Sequence, residues 1–281
     1  MKIIRSLKEM SGFSRKAHVK GKSVGFVPTM GALHEGHLSL IRKARKENDV
    51  VVVSIFVNPI QFGPKEDYGR YPRNLRRDSK LCEKSGADVI FYPGQKQMYP
   101  LNYKTYVAVY DLSNCLYGKF RPGHFKGVTT VVNKLFNIVS PDNAYFGQKD
   151  AQQAIIIKKM AEDLNIPVKI KVLPTVRERD GLAMSSRNAY LNKEERRDAT
   201  VLNQALILAK NLISQGNTSS SVIIRRMKEL INNKKSARIQ YILIVDPNDL
   251  LPVAKIKDKV LIALSVWMGK TRLIDNIVVS L

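Results

Sequence analysis

The sequence predicts an α/β fold, in which a doubly wound parallel sheet is followed by a smaller C-terminal α+β domain. Apolar strand patterns alternate with helical patterns in the first part of the chain, which is typical of consecutive βαβ units. Beyond about residue 190 this alternation ends, and helical patterns are followed by three consecutive strand patterns. Several loops that follow predicted strands also carry glycine, histidine, lysine or amide side chains, which is typical of the ligand-binding edge of such a sheet.

The elements of the first domain follow from their apolar periodicity. Strands are predicted at 24–27, 49–57, 87–92, 105–110, 143–146 and 168–173, and helices at 38–47, 75–85, 128–138 and 151–164. Helical crossovers between parallel strands are almost always right-handed. The carboxyl ends of the strands therefore share one edge, where a ligand is expected to bind.

The C-terminal pattern differs. A long helix is predicted at 194–214 and a second helix at 220–232, followed by strands at 239–245, 260–267 and 271–279. Consecutive strands without intervening helices favour a small antiparallel sheet. We therefore expect a first domain at 1–176 and a second domain at 177–281, with the second closing over the first as a lid.

Composition restricts the class of protein. The chain has 281 residues, of which 44% are hydrophobic and 25% charged, as expected for a globular domain or two. Charged residues near the N-terminus argue against a signal peptide, and the apolar run at 50–57 is too short to cross a membrane. Cys82 and Cys115 lack the spacing of a zinc or redox motif. We expect free thiols and a cytoplasmic location without membrane association.

The formal net charge of +23 raises the question of a nucleic-acid partner. The basic excess is spread over both halves of the chain without a basic tail. Solvated, lysine-rich helix faces are therefore the favoured interpretation, with steering of anionic substrates as the functional alternative. A nucleic-acid-binding module is kept as a rival hypothesis, but no nucleic-acid partner is expected.

The loop at 29–37 is the most informative segment. It follows an apolar strand pattern, carries Gly31 and Gly36, and places His34 and His37 where the next helix begins. A helix N-terminus favours anions, and glycine allows the backbone to approach a phosphate closely. We interpret the loop as a nucleotide phosphate site. A metal site or two unrelated surface histidines are the alternatives.

Two further segments carry candidate substrate and metal groups. Gln61 follows the second predicted strand and offers an amide that both donates and accepts, although an ordinary Asn-Pro turn is the alternative. Asp78 is the nearest carboxylate beyond this loop. It could serve a magnesium–nucleotide site or act as a charge at a helix N-terminus.

Two more segments carry candidate phosphate ligands. Lys149 and Asp150 follow another predicted strand and open a helix. Lys149 is suited to a phosphate, and Asp150 could cap the helix. Ser185, Ser186 and Arg187 form a hydroxyl- and guanidinium-bearing loop that could clamp triphosphate oxygens, with a simple turn as the alternative.

Taken together, these motifs resemble those of the pantoate–β-alanine ligase family. The resemblance covers nearly the whole chain and includes PTMGALHEGH (28–37), SIFVNPIQFG (54–63), YPR (71–73), RPGHFKGV (121–128), YFGQKD (145–150), Gln153, PTVRERDGLAMSSRN (174–188) and KTRLIDN (270–276). The HxGH pattern also places this family in a larger nucleotidyltransferase superfamily with a Rossmann-like fold.

The resemblance implies an activity and a set of site residues. The family uses ATP to activate pantoate as pantoyl adenylate, and β-alanine then displaces AMP to give pantothenate; the family is typically homodimeric. ATP is expected to contact Met30, Gly31, Ala32, Leu33, His34, Glu35, Gly36, His37, Gly147, Gln148, Lys149, Asp150, Val176, Met184, Ser185, Ser186 and Arg187. Gln61 and Gln153 match pantoate contacts, with Gln61 also near β-alanine. Asp78 matches a carboxylate near Mg²⁺, although Arg77 replaces a second acid that some relatives carry.

The chemistry of such a reaction suggests how these residues would act. A carboxylate nucleophile is already ionised at pH 7 and needs no general base. Catalysis would then depend on neutralising phosphate charge, for which the expected catalytic residues are His37, His34, Lys149, Ser185, Ser186 and Arg187. A related nucleotidyltransferase acting on a phosphorylated substrate is the rival. Paired amides such as Gln61 and Gln153 favour a small hydroxy acid instead.

Overall fold

The computed structural model describes residues 1–64 and 66–281. The strands are β1 (Lys2–Ile4), β2 (Val24–Thr29), β3 (Val50–Ile55), β4 (Val89–Phe91), β5 (Asn143–Gly147), β6 (Lys169–Leu173), β7 (Ala237–Val245), β8 (Val260–Met268) and β9 (Thr271–Val279). The first six pair in parallel in the order β1-β4-β3-β2-β5-β6, and the last three form an antiparallel sheet in the order β7-β8-β9. The predicted fold class is confirmed.

The helices are α1 (Leu7–Val19), α2 (Glu35–Glu47), α3 (Leu75–Lys84), α4 (Gln95–Met98), α5 (Leu116–Lys119), α6 (His124–Val139), α7 (Ala151–Asp163), α8 (Lys193–Asp198), α9 (Val201–Ser214) and α10 (Ser220–Asn232). Short 3₁₀ turns span Pro59–Gln61, Gln148–Asp150 and Ser186–Tyr190. Among the described residues, none of the helices is both long enough and apolar enough to cross a membrane.

Helices cover both faces of the six-stranded sheet. Successive residues of a strand point to opposite faces, and in β3 Val52 packs into a hydrophobic cluster with α1, α6 and α7. Val53 packs on the other face with α2 and α3. Burial on both faces is why β2 and β3 read as continuous apolar runs in the sequence.

The three-stranded sheet packs against α9 and α10 through a second cluster that includes Leu206, Met227 and Ile262. Leu250, Leu261 and Ala263 instead belong to the same cluster as the core of the six-stranded sheet. The two halves of the chain are therefore joined by apolar packing, and the domain boundary between residues 176 and 177 stays a prediction.

Three expectations about individual elements were incomplete or wrong. The strand predicted at 105–110 is wrong, because this segment lies outside the strands of the structure. The backbone N–H of Val107 donates to the Thr130 hydroxyl, and the Val107 carbonyl accepts from the Thr129 hydroxyl. The helix expected at 194–214 is interrupted at residues 199–200, where the Thr200 hydroxyl donates to the Arg197 carbonyl. Strand β1 and helices α1, α4 and α5 were not predicted.

The signal for α1 was present in its capping residues. The Ser6 hydroxyl accepts the backbone N–H of Glu9, and Ser-x-x-Glu before an amphipathic pattern marks a helix start. Met10, Ser14 and Ala17 are the buried positions on its inner face.

Candidate active site

A cleft lies at the carboxyl ends of β2 and β5, between the six-stranded sheet and strands β8 and β9. Thr29 and Gly147 contribute from the sheet, and Asn276 contributes from β9. The cleft thus lies at the edge predicted for a ligand in an open α/β sheet.

Most of the predicted site residues line this cleft. They are Met30, His34, Gly36, His37, Gln61, Gly147, Lys149, Asp150, Gln153, Val176, Met184, Ser185, Ser186 and Arg187. The structure thus brings together segments that are far apart in the sequence.

Two of the remaining predicted residues have side chains that lie elsewhere. Leu33 is fully buried in the hydrophobic cluster beside α2. Glu35 is exposed and pairs with Arg42 on the same helix. These two side chains support α2 and do not line the cleft. The Gln148 side chain does not line it either, and its amide donates to the Asn276 Oδ1.

The Asp78 side chain holds the loop between β2 and α2 by accepting hydrogen bonds from its backbone. Gly31 and Ala32 adopt left-handed backbone conformations, with φ of 83° and 51°, which are unfavourable for alanine. The Asp78 carboxylate accepts the backbone N–H of Ala32 at 2.9 Å and that of Leu33 at 3.0 Å. The Arg77 guanidinium donates to the Leu33 carbonyl at 3.0 Å. Residues 77 and 78 together fix the loop in its strained conformation.

These contacts bear on the predicted magnesium site. Asp78 is 1% exposed, and each of its oxygens already accepts a backbone hydrogen bond. In the part of the chain that the structure describes, no group of three or more His, Cys, Asp or Glu side chains is arranged to hold a metal ion. Asp78 therefore fits an anchor for the loop better than it fits a ligand of a metal ion.

His34 and His37 cap helix α2 through their side chains. The Nδ1 of His34 accepts the backbone N–H of Gly36 at 3.2 Å, and the Nδ1 of His37 accepts that of His34 at 3.4 Å. Because an accepting Nδ1 carries no proton, a neutral ring must carry its proton on Nε2. Both imidazoles are therefore Nε2–H donors.

The environment keeps both rings neutral. Burial, reinforced by the positive charge of Lys149, lowers the pKa of His34 to about 4. Burial lowers the pKa of His37 well below its ordinary value, with His34 and Lys149 adding to the effect. The site therefore presents a lysine cation and two neutral N–H donors near one another. The imidazoles themselves occupy the backbone N–H groups of His34 and Gly36 at the start of α2.

Gln61 is oriented by a residue that was not singled out from the sequence, Asn58. The Asn58 amide, 1% exposed, donates to the Gln61 Oε1 at 2.9 Å and to the Gly127 carbonyl at 3.0 Å. Its own Oδ1 accepts from the Tyr99 hydroxyl at 2.8 Å. With Oε1 occupied, Gln61 is left with Nε2 as a donor at the cleft, where it lies 2.9 Å from the Met30 sulfur.

The backbone of Gln61 is fixed by the RPGHFKGV motif. Arg121 and His124 both donate to the Gln61 carbonyl, at 3.3 and 2.8 Å. Burial, and then the charge of Arg121, lowers the pKa of His124 to about 3. Arg121 in turn pairs with Glu66. In the sequence this motif contributes only to the family resemblance, and the structure shows which site residue it supports.

The loop at 181–190 brings Arg187 into the cleft. The Ser185 hydroxyl accepts the backbone N–H of Arg187 and starts the 3₁₀ turn. The Arg187 guanidinium makes two hydrogen bonds to the Asp67 carboxylate, at 3.1 and 3.3 Å. Arg187 lines the cleft as predicted. Its positive charge is paired with the Asp67 carboxylate, whereas a triphosphate was expected as its partner. Asp67 was not predicted.

Comparisons with known proteins show which proteins this chain is similar to. The family model described as pantoate-beta-alanine ligase matches residues 2–278. A pantothenate synthetase from Caldicellulosiruptor bescii is 56% identical over 280 residues, covering 100% of this chain and 99% of the relative. One from Fervidobacterium nodosum is 55% identical over 280 residues, covering 100% of both chains.

Solved structures show the same similarity. A pantothenate synthetase from Thermus thermophilus superposes with a TM-score of 0.94 at 44% identity, covering 99% of each chain. A pantoate-beta-alanine ligase from Francisella tularensis, complexed with beta-gamma ATP and beta-alanine, gives a TM-score of 0.79 at 38% identity. That comparison covers 99% of this chain and 97% of the Francisella chain.

Proposed function

The chain belongs to the pantoate–β-alanine ligase family of pantothenate biosynthesis, and from this premise we propose that it works through a pantoyl-adenylate intermediate. In the first step, a pantoate carboxylate oxygen bonds to the α-phosphorus of ATP while the bond to pyrophosphate breaks. In the second step, the amine of β-alanine bonds to the acyl carbon, AMP leaves and a proton is released.

The chemistry of the first step matches the groups that line the cleft. The attacking carboxylate is ionised at pH 7, so the site needs no base for it. Negative charge on the α-phosphoryl group and on the leaving pyrophosphate must be stabilised instead. Lys149 and the Nε2–H donors of His34 and His37 supply that stabilisation. Ser185, Ser186 and Arg187 are assigned to the phosphate chain, Arg187 through guanidinium N–H groups that are not bound to Asp67.

The single observation that carries this proposal is the pair of hydrogen bonds that the Nδ1 atoms of His34 and His37 accept. Both Nδ1 atoms accept backbone N–H groups, so neither ring can act as a base through that atom. Burial also keeps both rings uncharged. Neutral donors suit a reaction in which phosphate charge develops and no proton has to be removed.

Substrate recognition is assigned to the amide groups. Gln61 presents a donor whose orientation Asn58 sets, and Gln153 lines the same cleft. Amides are suited to the carboxylate and hydroxyl groups of pantoate. By the family resemblance, ATP contacts are also assigned to Met30, Gly31, Ala32, Gly36, Gly147, Asp150, Val176 and Met184. The side chains of Leu33, Glu35 and Gln148 have other partners and are not assigned to ATP.

Magnesium is expected from the family resemblance, but the expected ligand does not fit it. Both Asp78 oxygens accept hydrogen bonds from the backbone N–H groups of Ala32 and Leu33. We therefore assign no protein ligand to Mg²⁺ and no step of the reaction to the ion.

The second step requires protection from water, because a mixed anhydride hydrolyses readily. The cleft lies between the sheet edge and β8 and β9, and residues 177–281 are proposed to act as its lid. No base is assigned for the β-alanine amine. A homodimer and a cytoplasmic location are part of the proposal; the first rests on the family resemblance and the second is in line with the two unpaired thiols.

A product assay tests the proposed function. With ATP, pantoate and β-alanine, we expect AMP, pyrophosphate and pantothenate in equal amounts. Without β-alanine, the enzyme should still exchange labelled pyrophosphate into ATP when pantoate is present. Formation of ADP and phosphate, or exchange that does not require pantoate, would contradict the adenylate route.

A further inference from the structure

Strand β9 carries two consecutive buried polar residues, Asp275 and Asn276, which are 2% and 6% exposed. Earlier in the strand, buried and partly exposed residues alternate, as expected for a strand with one face on a core. Burying a carboxylate and an amide side by side is costly unless both are fully hydrogen-bonded. Their partners show which parts of the site they hold.

Asn276 is bound to the turn that carries Lys149. Its Nδ2 donates to the carbonyl oxygens of Gln148 at 3.0 Å and Lys149 at 2.9 Å. Its Oδ1 accepts from the Gln148 side-chain amide at 3.0 Å. One side chain of the three-stranded sheet thus makes three hydrogen bonds to the Gln148–Asp150 turn of the six-stranded sheet.

Asp275 is bound to the segment that leads into the Ser185–Arg187 loop. Its two oxygens accept from the Arg177 guanidinium at 2.6 and 3.0 Å, and Arg177 also donates to the Gly181 carbonyl at 3.1 Å. The backbone N–H of Asn276 donates to Asp275 at 2.8 Å, which couples the two side chains.

We propose that Asn276 and Asp275 are positioning residues: Asn276 sets the location of Lys149, and Asp275 sets that of the Ser185–Arg187 loop. The inference rests on the proposed function, because it concerns the placement of the groups that meet ATP. Two adjacent residues of one strand thereby align two phosphate-binding segments that are separated by more than thirty positions in the sequence. Both residues lie in the KTRLIDN motif (270–276), which in the sequence contributes only to the family resemblance.

The first test removes the Asn276 side chain. Asn276→Ala should lower kcat on the order of 10²-fold, the size of loss expected when a catalytic group shifts by about 1 Å. The melting temperature should fall little in comparison. Ser265→Ala is the matched control: Ser265 is also buried, in β8, and its hydroxyl bonds Gln240 away from the cleft. This control should retain the wild-type kcat.

A double-mutant cycle separates positioning from a general structural role. If Asn276 acts through Lys149, Asn276→Ala should add little further loss to Lys149→Ala, because the two effects are not independent. Multiplicative losses in the double variant would overturn the inference. So would an Asn276→Ala enzyme with the kcat of wild type.

The role of Asp275 is tested with Asp275→Asn, and Asp198→Asn is the control variant. Asp198 is also a largely buried carboxylate, but it accepts from the Ser236 hydroxyl outside the cleft. Asp275→Asn should raise the KM for ATP and lower kcat, whereas Asp198→Asn should change stability alone. Equal kinetic effects in the two variants would overturn the assignment. An inactive wild-type enzyme would instead reject the proposed function, so the two failures are distinguishable.

Discussion

The imidazole Nδ1 of His37 accepts the backbone N–H of His34, and the two ring centroids lie 4.2 Å apart. Each histidine thus satisfies a backbone donor at the start of α2 and keeps its own Nε2–H available. The same arrangement of the two rings therefore both caps the helix and leaves two N–H donors free. A change to either ring, or to the loop that holds them, should alter both stability and activity.

Two substitutions of His37 separate its two nitrogen atoms. Asn offers an oxygen near the Nδ1 position, whereas Gln offers an N–H near the Nε2 position. We expect His37→Asn to keep the capped helix and lose adenylation rate by roughly 10²–10³-fold, as for the loss of one preorganised donor. His37→Gln should retain more activity but melt at a lower temperature. Pyrophosphate exchange and thermal unfolding measure the two effects, and greater activity in His37→Asn than in His37→Gln would contradict the assigned tautomer.

Gly36→Ala should disable the histidine cap. A Cβ at this position would lie 2.9 Å from the His34 ring, which cannot move without losing its bond to the Gly36 N–H. We expect a large loss of kcat. Gly12→Ala in α1 is the control, because a Cβ there meets no atom within 4 Å and helix propensity favours alanine by about 1 kcal/mol. If Gly36→Ala and Gly12→Ala had equal activity, the observed position of the His34 ring would not be needed for catalysis.

Substitution of Asp78 distinguishes an anchor from a metal ligand. Asp78→Ala leaves the N–H groups of Ala32 and Leu33 without their acceptor, which should cost about 1–3 kcal/mol of unfolding free energy for each buried group left unpaired. Chemical denaturation measures this loss. The apparent affinity for Mg²⁺ at saturating ATP should stay unchanged. A weakened Mg²⁺ affinity with unaltered stability would instead support the ligand role.

Acid should destabilise the protein partly through His34. Its pKa is lowered from 6.5 to about 4 on folding, so between these values the unfolded chain binds more protons than the folded one. The contribution of His34 to stability is therefore complete above pH 6.5 and decreases as the pH falls towards 4. Comparing melting temperatures of wild type and His34→Asn over this range measures it. The difference between the two proteins should depend on pH only below about pH 6.5, and a difference that is constant throughout would contradict the prediction.

The proposed lid closure predicts a local change in hydrogen exchange. Residues 181–190 should exchange more slowly when ATP and pantoate are both present, because their backbone would then be covered. Helix α10 packs in the second hydrophobic cluster and serves as the control segment, with exchange expected to stay the same. No slowing at 181–190 would count against closure.

Apolar periodicity was sufficient to predict the sheet-and-helix architecture, because burial on one or two faces leaves a readable pattern in each element. Segment 105–110 shows the limit of such reasoning. Its alternating apolar residues resemble a strand, but pairing depends on a neighbour that periodicity does not specify, and Thr129 and Thr130 satisfy Val107 instead. At the break in the helix at 199–200, the Thr200 hydroxyl donates to the Arg197 carbonyl, a contact that periodicity does not specify either.

The motifs of this chain determined by themselves the family and the reaction class, and most of the site residues predicted from them line the cleft, because many of these residues follow strand ends that must meet at one edge. Tertiary structure alone decided how each of them is held. Asn58 orients the Gln61 side chain, and Asp78 accepts the backbone N–H of Leu33 beside His34. Asn276, in the three-stranded sheet, donates to the Lys149 carbonyl. A hydrogen bond between residues distant in sequence requires a distance and a direction. Both depend on how the whole chain packs, and neither is encoded in the local pattern of residue types.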